Sequence, residues 1–196
     1  MINYIDNINN TLKPRITEAE VVLDLFAGCG GLSLGFEAVG YKTIGYEMDI
    51  AATKTYNKNL TGICHNVKLD LNFDYPKADI VIGGPPCQPF SVGGLQKGIE
   101  DARDGFPIFI DAVKKLQPKV FMFENVRGLL YSNKWYFDLV IIELRKLGYL
   151  IDYKLLNAVN HGVPQNRERL FVIRHRSKFI FPKLNQTKVA VGEAIG

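Results

Sequence analysis

Val21-Val22-Leu23-Asp24-Leu25-Phe26-Ala27-Gly28-Cys29-Gly30-Gly31 opens on a short apolar run and closes on three glycines. Such a run suits a strand buried on both faces of a parallel sheet, with a glycine turn that feeds a helix. The helix is expected to stop at Gly40. The same alternation recurs downstream. Lys42 to Glu47 reads as strand, Ile50 to Asn59 as helix, the stretch near Ile63 as a weak strand and Asp79-Ile80-Val81-Ile82-Gly83 as a strong one. Beyond a long loop, Phe106 to Leu116 reads as helix, Lys119 to Glu124 as strand and Trp135 to Leu147 as helix. Alternating strands and helices predict an α/β fold with a doubly wound, mostly parallel sheet. Tyr149 to Asn157 and Leu170 to His175 lack a helix between them, so they are expected to pair as antiparallel neighbours that end the sheet.

The chain has 196 residues, enough for one sizeable core. Residues 1 to 19 read as a polar lead-in broken by Pro14, and residues 20 to 196 as a single domain without a Pro/Gly/Ser linker. A 47% hydrophobic fraction and 22% charge exclude a disordered chain. No stretch approaches the roughly 20 apolar residues of a membrane helix, and the polar N-terminus has no apolar signal core, so a cytoplasmic protein is expected. Cys29, Cys64 and Cys87 are an odd count without paired spacing, which argues against a disulfide framework or a zinc site; no metal is expected. Split after Val113, the chain carries 9 Lys and Arg against 14 Asp and Glu before that point, and 15 against 6 after it. The second half is therefore where nucleic-acid phosphates are expected, although a basic solvated face would read the same.

The glycines after the first strand lie at the carboxyl end of the sheet, where ligands bind in open α/β folds. Tight turns need glycine too, so the run alone leaves both readings open. Glu47 ends the next strand, where a carboxylate can accept both hydroxyls of a ribose. A dinucleotide fingerprint would need glycine at Ser33, and no G-K-[ST] run is present, so an adenosine-bearing cofactor without a phosphate chain fits better. Gly83-Gly84-Pro85-Pro86-Cys87-Gln88-Pro89-Phe90-Ser91 follows the fourth strand. Its prolines stiffen the backbone around a thiol at the mouth of the sheet; the residue pattern admits either a nucleophile or a rigid turn with an incidental cysteine.

Six motifs in order resemble the cytosine-C5 DNA methyltransferase family: D-L-F-A-G-C-G-G from Asp24, the acidic Glu47, Asp70, P-P-C-Q-P-F-S from Pro85, F-E-N-V from Phe123 and Q-N-R-E-R-L-F from Gln165. The resemblance implies the class I S-adenosylmethionine-dependent methyltransferase fold and a restriction-modification role. It implies S-adenosylmethionine as cofactor, S-adenosylhomocysteine as product and double-stranded DNA as substrate. Phe26, Ala27, Gly28, Gly31 and Pro86 would line the cofactor, Glu47 would hold the ribose, and Asp70 and Leu71 would meet the adenine. Met48 stands where relatives usually carry a Trp against the adenine, and its thioether can cover the same ring face.

The same resemblance makes Cys87 the nucleophile at cytosine C6, with Glu124 at N3, Arg169 at O2 and Arg167 at a phosphate or supporting the loop. Without it, Glu124 would read as a cap and Arg167 to Arg169 as a surface ion-pair cluster. Gln88, Ser91, Gln96, Lys97, Arg103 and Asn125 are the expected substrate and DNA contacts. Ser91 to Gly105 is expected to close over a flipped base. Family members continue beyond the stretch at Val189 to Gly196 into a target-recognition region and a segment that completes the cofactor pocket. A second polypeptide supplying both is therefore expected, or else a truncated form. An inert binding protein with the cofactor fold and a tRNA methyltransferase are the alternatives.

Overall fold

The computed structural model describes residues 3–87, 104–175, 179–184 and 188–195. Its seven strands are β1 (Val21–Leu25), β2 (Lys42–Glu47), β3 (Ile63–Asn66), β4 (Ile80–Gly83), β5 (Val120–Val126), β6 (Leu150–Asn157) and β7 (Glu168–His175). They form one sheet in the order β3-β2-β1-β4-β5-β7-β6. The first five pair in parallel, and β7 runs antiparallel to both its neighbours, β5 and β6. Around the sheet lie helices α1 (Tyr4–Thr11), α2 (Gly31–Ala38), α3 (Ile50–Asn59), α4 (Phe106–Leu116), α5 (Lys134–Lys146) and α6 (Val191–Ile195), with short 3₁₀ turns at Arg127–Leu129 and Ala158–His161. Among the described residues no helix is long and apolar enough to cross a membrane.

Side-chain alternation explains the two layers. Leu23 and Leu25 of β1 point with Val81, Phe121 and Phe123 into a core shared with Phe109 and Val113 of α4 and Leu144 of α5. Val22, Ile80 and Ile82 point the opposite way, against Leu32 and Phe36 of α2. Every central strand is thus covered on both faces, which is why these runs are apolar rather than alternating. Tyr56 of α3 packs with Cys64 on the α2 side of the sheet.

Two expectations are refined. The last two strands do pair antiparallel at the end of the sheet, but the strand that runs against the others is not the outermost: β7 lies between β5 and β6, and β6 forms the edge. The connection through α5 carries β6 one place beyond β5, and the returning chain fills the gap by antiparallel pairing on both sides. The lead-in also has defined structure. Asn3 caps α1 by accepting from the Asp6 amide, and the amides of Arg15, Thr17 and Glu18 donate to the carbonyls of Glu37 and Gly40 at the end of α2.

Candidate active site

The carboxyl ends of β1, β2, β4 and β5 lie along one edge of the sheet, and antiparallel β7 begins there, with Arg169 opposite Val126. The turn after β1 starts with Phe26 at φ 61°, a left-handed conformation that a bulky side chain adopts at a cost. Gly28 follows at φ 54°, where a Cβ would be strained although the space around it is open. The Gly28 amide donates to Glu47 Oε2 at 2.9 Å, and the Asp49 amide donates to Oε1 at 2.8 Å. The carboxylate is thereby fixed at the end of β2, and each oxygen keeps a lone pair for a ligand.

A cleft of about 430 Å³ opens beside this carboxylate. Phe26, Met48, Leu69 and Ile108 supply apolar walls, with Gly84 and Pro86 at the end nearest Cys87. Among the described residues its charged lining is Glu47, Asp104 and Lys68. The Glu47 carboxylate at the end of β2, with flat apolar flanks beside it, suits an adenosine-type ligand without a phosphate chain. S-adenosylmethionine has that chemistry.

Of the residues expected at the cofactor, Phe26, Glu47, Met48 and Pro86 line the cleft. Gly28 touches it indirectly through Glu47. Ala27 is buried with Tyr56 and Cys64 on the other side of the turn, and Gly31 is the first residue of α2. Asp70 accepts from the Asn72 amide at 2.7 Å, and the Leu71 carbonyl accepts from Lys115 Nζ at 2.7 Å; neither lines the cleft, whose wall here is Val67, Lys68 and Leu69.

Cys87 leaves the turn after β4 half-buried and forms an isolated antiparallel bridge with Asp104. Beside it the Gly105 amide donates to the Pro86 carbonyl at 2.9 Å. A Cβ at Gly105 would collide with Pro86 Cδ and press on Phe26, so glycine is needed for this close approach. Burial, with the Asp104 carboxylate adding to it, pushes the Cys87 thiol up to about 11.

Glu124 of β5 receives Arg169 Nε at 2.7 Å, and its other oxygen faces the side of Gly84 from which a Cβ would project. The two side chains meet because Glu124 pairs with Phe171 and Arg169 sits two residues away on the same face of β7. Burial holds the Glu124 carboxyl above its ordinary value, although Arg169 and Arg167 pull it back. Arg167 is exposed, within electrostatic reach of Glu124.

Asn125, expected among the substrate contacts, is only 6% exposed. Its amide donates to the Pro85 carbonyl at 2.9 Å and its Oδ1 accepts from the Val126 amide at 2.8 Å, so it holds the turn from below. Gln88, Ser91, Gln96, Lys97 and Arg103 lie outside the described residues, as does most of the Ser91 to Gly105 segment. Sequence reasoning missed Asp104 and Tyr136. Asp104 is 5% exposed and accepts from the Phe106 amide at 3.0 Å and from the Tyr136 hydroxyl. No motif marks either residue; an acid just before a helix that starts with Phe-Pro was the available signal.

The sheet order and the cleft at its carboxyl edge define the class I methyltransferase fold. The Entamoeba histolytica methyltransferase EhMeth superposes with a TM-score of 0.67 at 23% identity, covering 88% of this chain and 58% of that one. The model of the C-5 cytosine-specific DNA methylase family matches residues 21–193, and the chain belongs to that family. The type II methyltransferase M.AplI of Arthrospira platensis is 50% identical over 199 residues, covering 99% of this chain and 58% of the relative. The type II methyltransferase M.FnuDI of Fusobacterium nucleatum is 42% identical over 171 residues, covering 82% and 50%. The chain thus spans about half the length of the curated relatives it matches. Those relatives carry their remaining length in the same polypeptide, so the expectation of a separate second polypeptide finds no support.

Proposed function

We propose that this chain carries the centre that transfers a methyl group from S-adenosylmethionine to C5 of cytosine in DNA. The observation that supports this most is the meeting of three parts at one sheet edge: the cleft beside Glu47, the Cys87 turn, and the Glu124–Arg169 pair. When bound, the cofactor supplies an electrophilic methyl group.

The chain's own residues perform the rest. C5 of cytosine is a poor nucleophile until a sulfur adds at C6. The Cys87 sulfur, once its proton has passed to solvent, forms an S–C6 bond; the C5–C6 π electrons shift to C4–C5 and the C4–N3 π electrons move onto N3, so that C5 becomes an enamine carbon. Negative charge develops at N3 and O2. Glu124 keeps its proton longer than a free carboxyl and donates to N3, while Arg169 fixes that carboxyl and stabilises O2. After C5 takes the methyl group, loss of the C5 proton to a base drives the ring electrons back and expels the thiolate. A base stacked in duplex DNA hides C6, so the reaction requires flipping. Asn125 and Gly105 keep the Cys87 turn rigid, which limits the search for an attack geometry.

Incubation with cofactor and DNA containing 5-fluorocytosine tests the reading, because the fluorine at C5 cannot leave as a proton. Wild-type chain is expected to form a denaturation-resistant adduct at Cys87. An adduct of equal yield from Cys87→Ser removes Cys87 from the role.

A further inference from the structure

One wall of the cleft is a stretch of irregular backbone. Val67, Lys68 and Leu69 begin the connection from β3 to β4, residues 67–79, and none of its described residues lies in a helix or strand. The Val67 amide ties the start of this loop to the Glu47 carbonyl at 2.9 Å. A second tie comes from Lys115 in the last turn of α4. Its Nζ donates to the Leu71 carbonyl at 2.7 Å and to the Phe73 carbonyl at 3.3 Å, and it lies 2.8 Å from Asp111 Oδ2. We propose that Lys115 is a positioning residue for the methyl donor: by clamping the loop just beyond Leu69 to α4, it holds the wall at residues 67–69 at the spacing the cofactor needs.

Helix periodicity puts the clamp where it is. Ile108, Asp111 and Lys115 follow one another at spacings of three and four residues and so share one face of α4. Ile108 lines the cleft, and the same face carries Lys115 about two turns further on. Asp111, one turn before Lys115, balances the ammonium charge and restricts where the long side chain points. The Asp70 side chain accepts from the Asn72 amide at 2.7 Å, which closes a tight turn around Leu71. Phe73, whose carbonyl Lys115 holds, packs edge-on against Tyr46 with ring centroids 5.1 Å apart, and Tyr46 itself lines the cleft. The loop is thus ordered before a ligand arrives. Lys115 does not line the cleft, so its effect reaches the ligand through the loop. Without the clamp the wall samples other positions, and affinity falls in proportion to the time it spends away from the competent one.

This role for Lys115 rests on the cleft being the cofactor site, and two measurements separate the one from the other. Binding of S-adenosylmethionine and of S-adenosylhomocysteine is followed by titration calorimetry, and backbone hydrogen exchange of the ligand-free chain by mass spectrometry. Lys115→Met keeps the stem and loses the donors. It is expected to weaken both ligands about tenfold, as for a wall that is in place about one-tenth of the time. Exchange at residues 67–73 should speed up in this variant, while β1, β4 and β5 stay as protected as in wild type. Lys115→Arg still donates to the two carbonyls and should recover most of the affinity and the protection. If wild type binds and Lys115→Met binds equally well, Lys115 has no positioning role. The same conclusion follows if exchange rises throughout the sheet, since the residue then supports the whole fold. If wild type binds neither ligand, the cofactor reading of the cleft fails and takes the role of Lys115 with it.

Discussion

Glu124 and Arg169 form a pair in which each sets the other's chemistry. Burial favours a protonated Glu124, and Arg169, 2.7 Å away, opposes this. Arg169→Gln removes the nearest opposing charge, so Glu124 retains its proton to higher pH. The alkaline limb of the methyl-transfer profile should move upward, while loss of the proposed O2 contact should lower the rate by about 10²- to 10³-fold. Steady-state rates across pH check both, and an alkaline limb that stays put would show that Glu124 does not donate the proton. That Cys87, Glu124 and Arg169 lie at one edge of the sheet was legible because each sits in a short motif at a strand end. Asp104 and Tyr136 were not, because their meeting depends on how α5 packs against the start of α4, some 30 residues away in the chain. Asn125 shows the complementary failure: a polar residue beside a site residue reads as a contact, yet strand alternation turns it beneath the turn.

At the scale of elements, α2 carries a carboxylate that holds the far side of the sheet together. Glu37 is fully buried and accepts from Thr43 Oγ1 at 2.6 Å, the Thr61 amide at 2.9 Å, the Thr61 hydroxyl at 2.8 Å and the Gly62 amide at 2.7 Å. These bonds fix the turn that leads from α3 into β3. Burial alone would raise its pKa, but the four donors outweigh it and the net shift is downward. A carboxyl depressed in the folded state contributes stability above its unfolded pKa and loses it as pH falls through the folded value. Glu37→Ala strands buried donors and should cost about 2–4 kcal/mol in urea unfolding at neutral pH, with less loss of stability on acidification than wild type shows. A cost under about 0.5 kcal/mol would mean that the turn holds without it. The α/β alternation announced α2, α3 and β3, since periodicity is local. The lateral place of β7 was beyond it, because a strand's pattern records what it buries and not which neighbours it pairs with.

Across the molecule, the same face of the sheet holds a second buried acid with the opposite sign. Asp24 in β1 is 1% exposed; Ser33 Oγ donates to its Oδ2 at 2.7 Å, and among the described residues its Oδ1 has no hydrogen-bond partner. Burial, which exceeds the lowering effect of Ser33, raises the carboxyl to about 7. A carboxyl raised in the folded state contributes stability below its unfolded pKa, and that contribution is lost as pH rises toward and past the folded value. Asp24 therefore penalises folding on the alkaline side, while Glu37 penalises it on the acid side, so their joint effect favours weakly acidic conditions. By about pH 8 the cost of ionising Asp24 inside the fold is of order 4 kcal/mol, since a tenfold change in a proton's affinity is worth about 1.4 kcal/mol. Asp24→Asn keeps an acceptor for Ser33 and cannot ionise. Its urea midpoint should exceed that of wild type at mildly alkaline pH, and the gap should narrow near pH ~5. Equal midpoints throughout would mean that water reaches Asp24 and solvates its charge. That outcome would also loosen the picture of β1 as a strand sealed on both faces, the feature that makes Val21 to Leu25 apolar and sets the glycine turn at the mouth of the cofactor cleft.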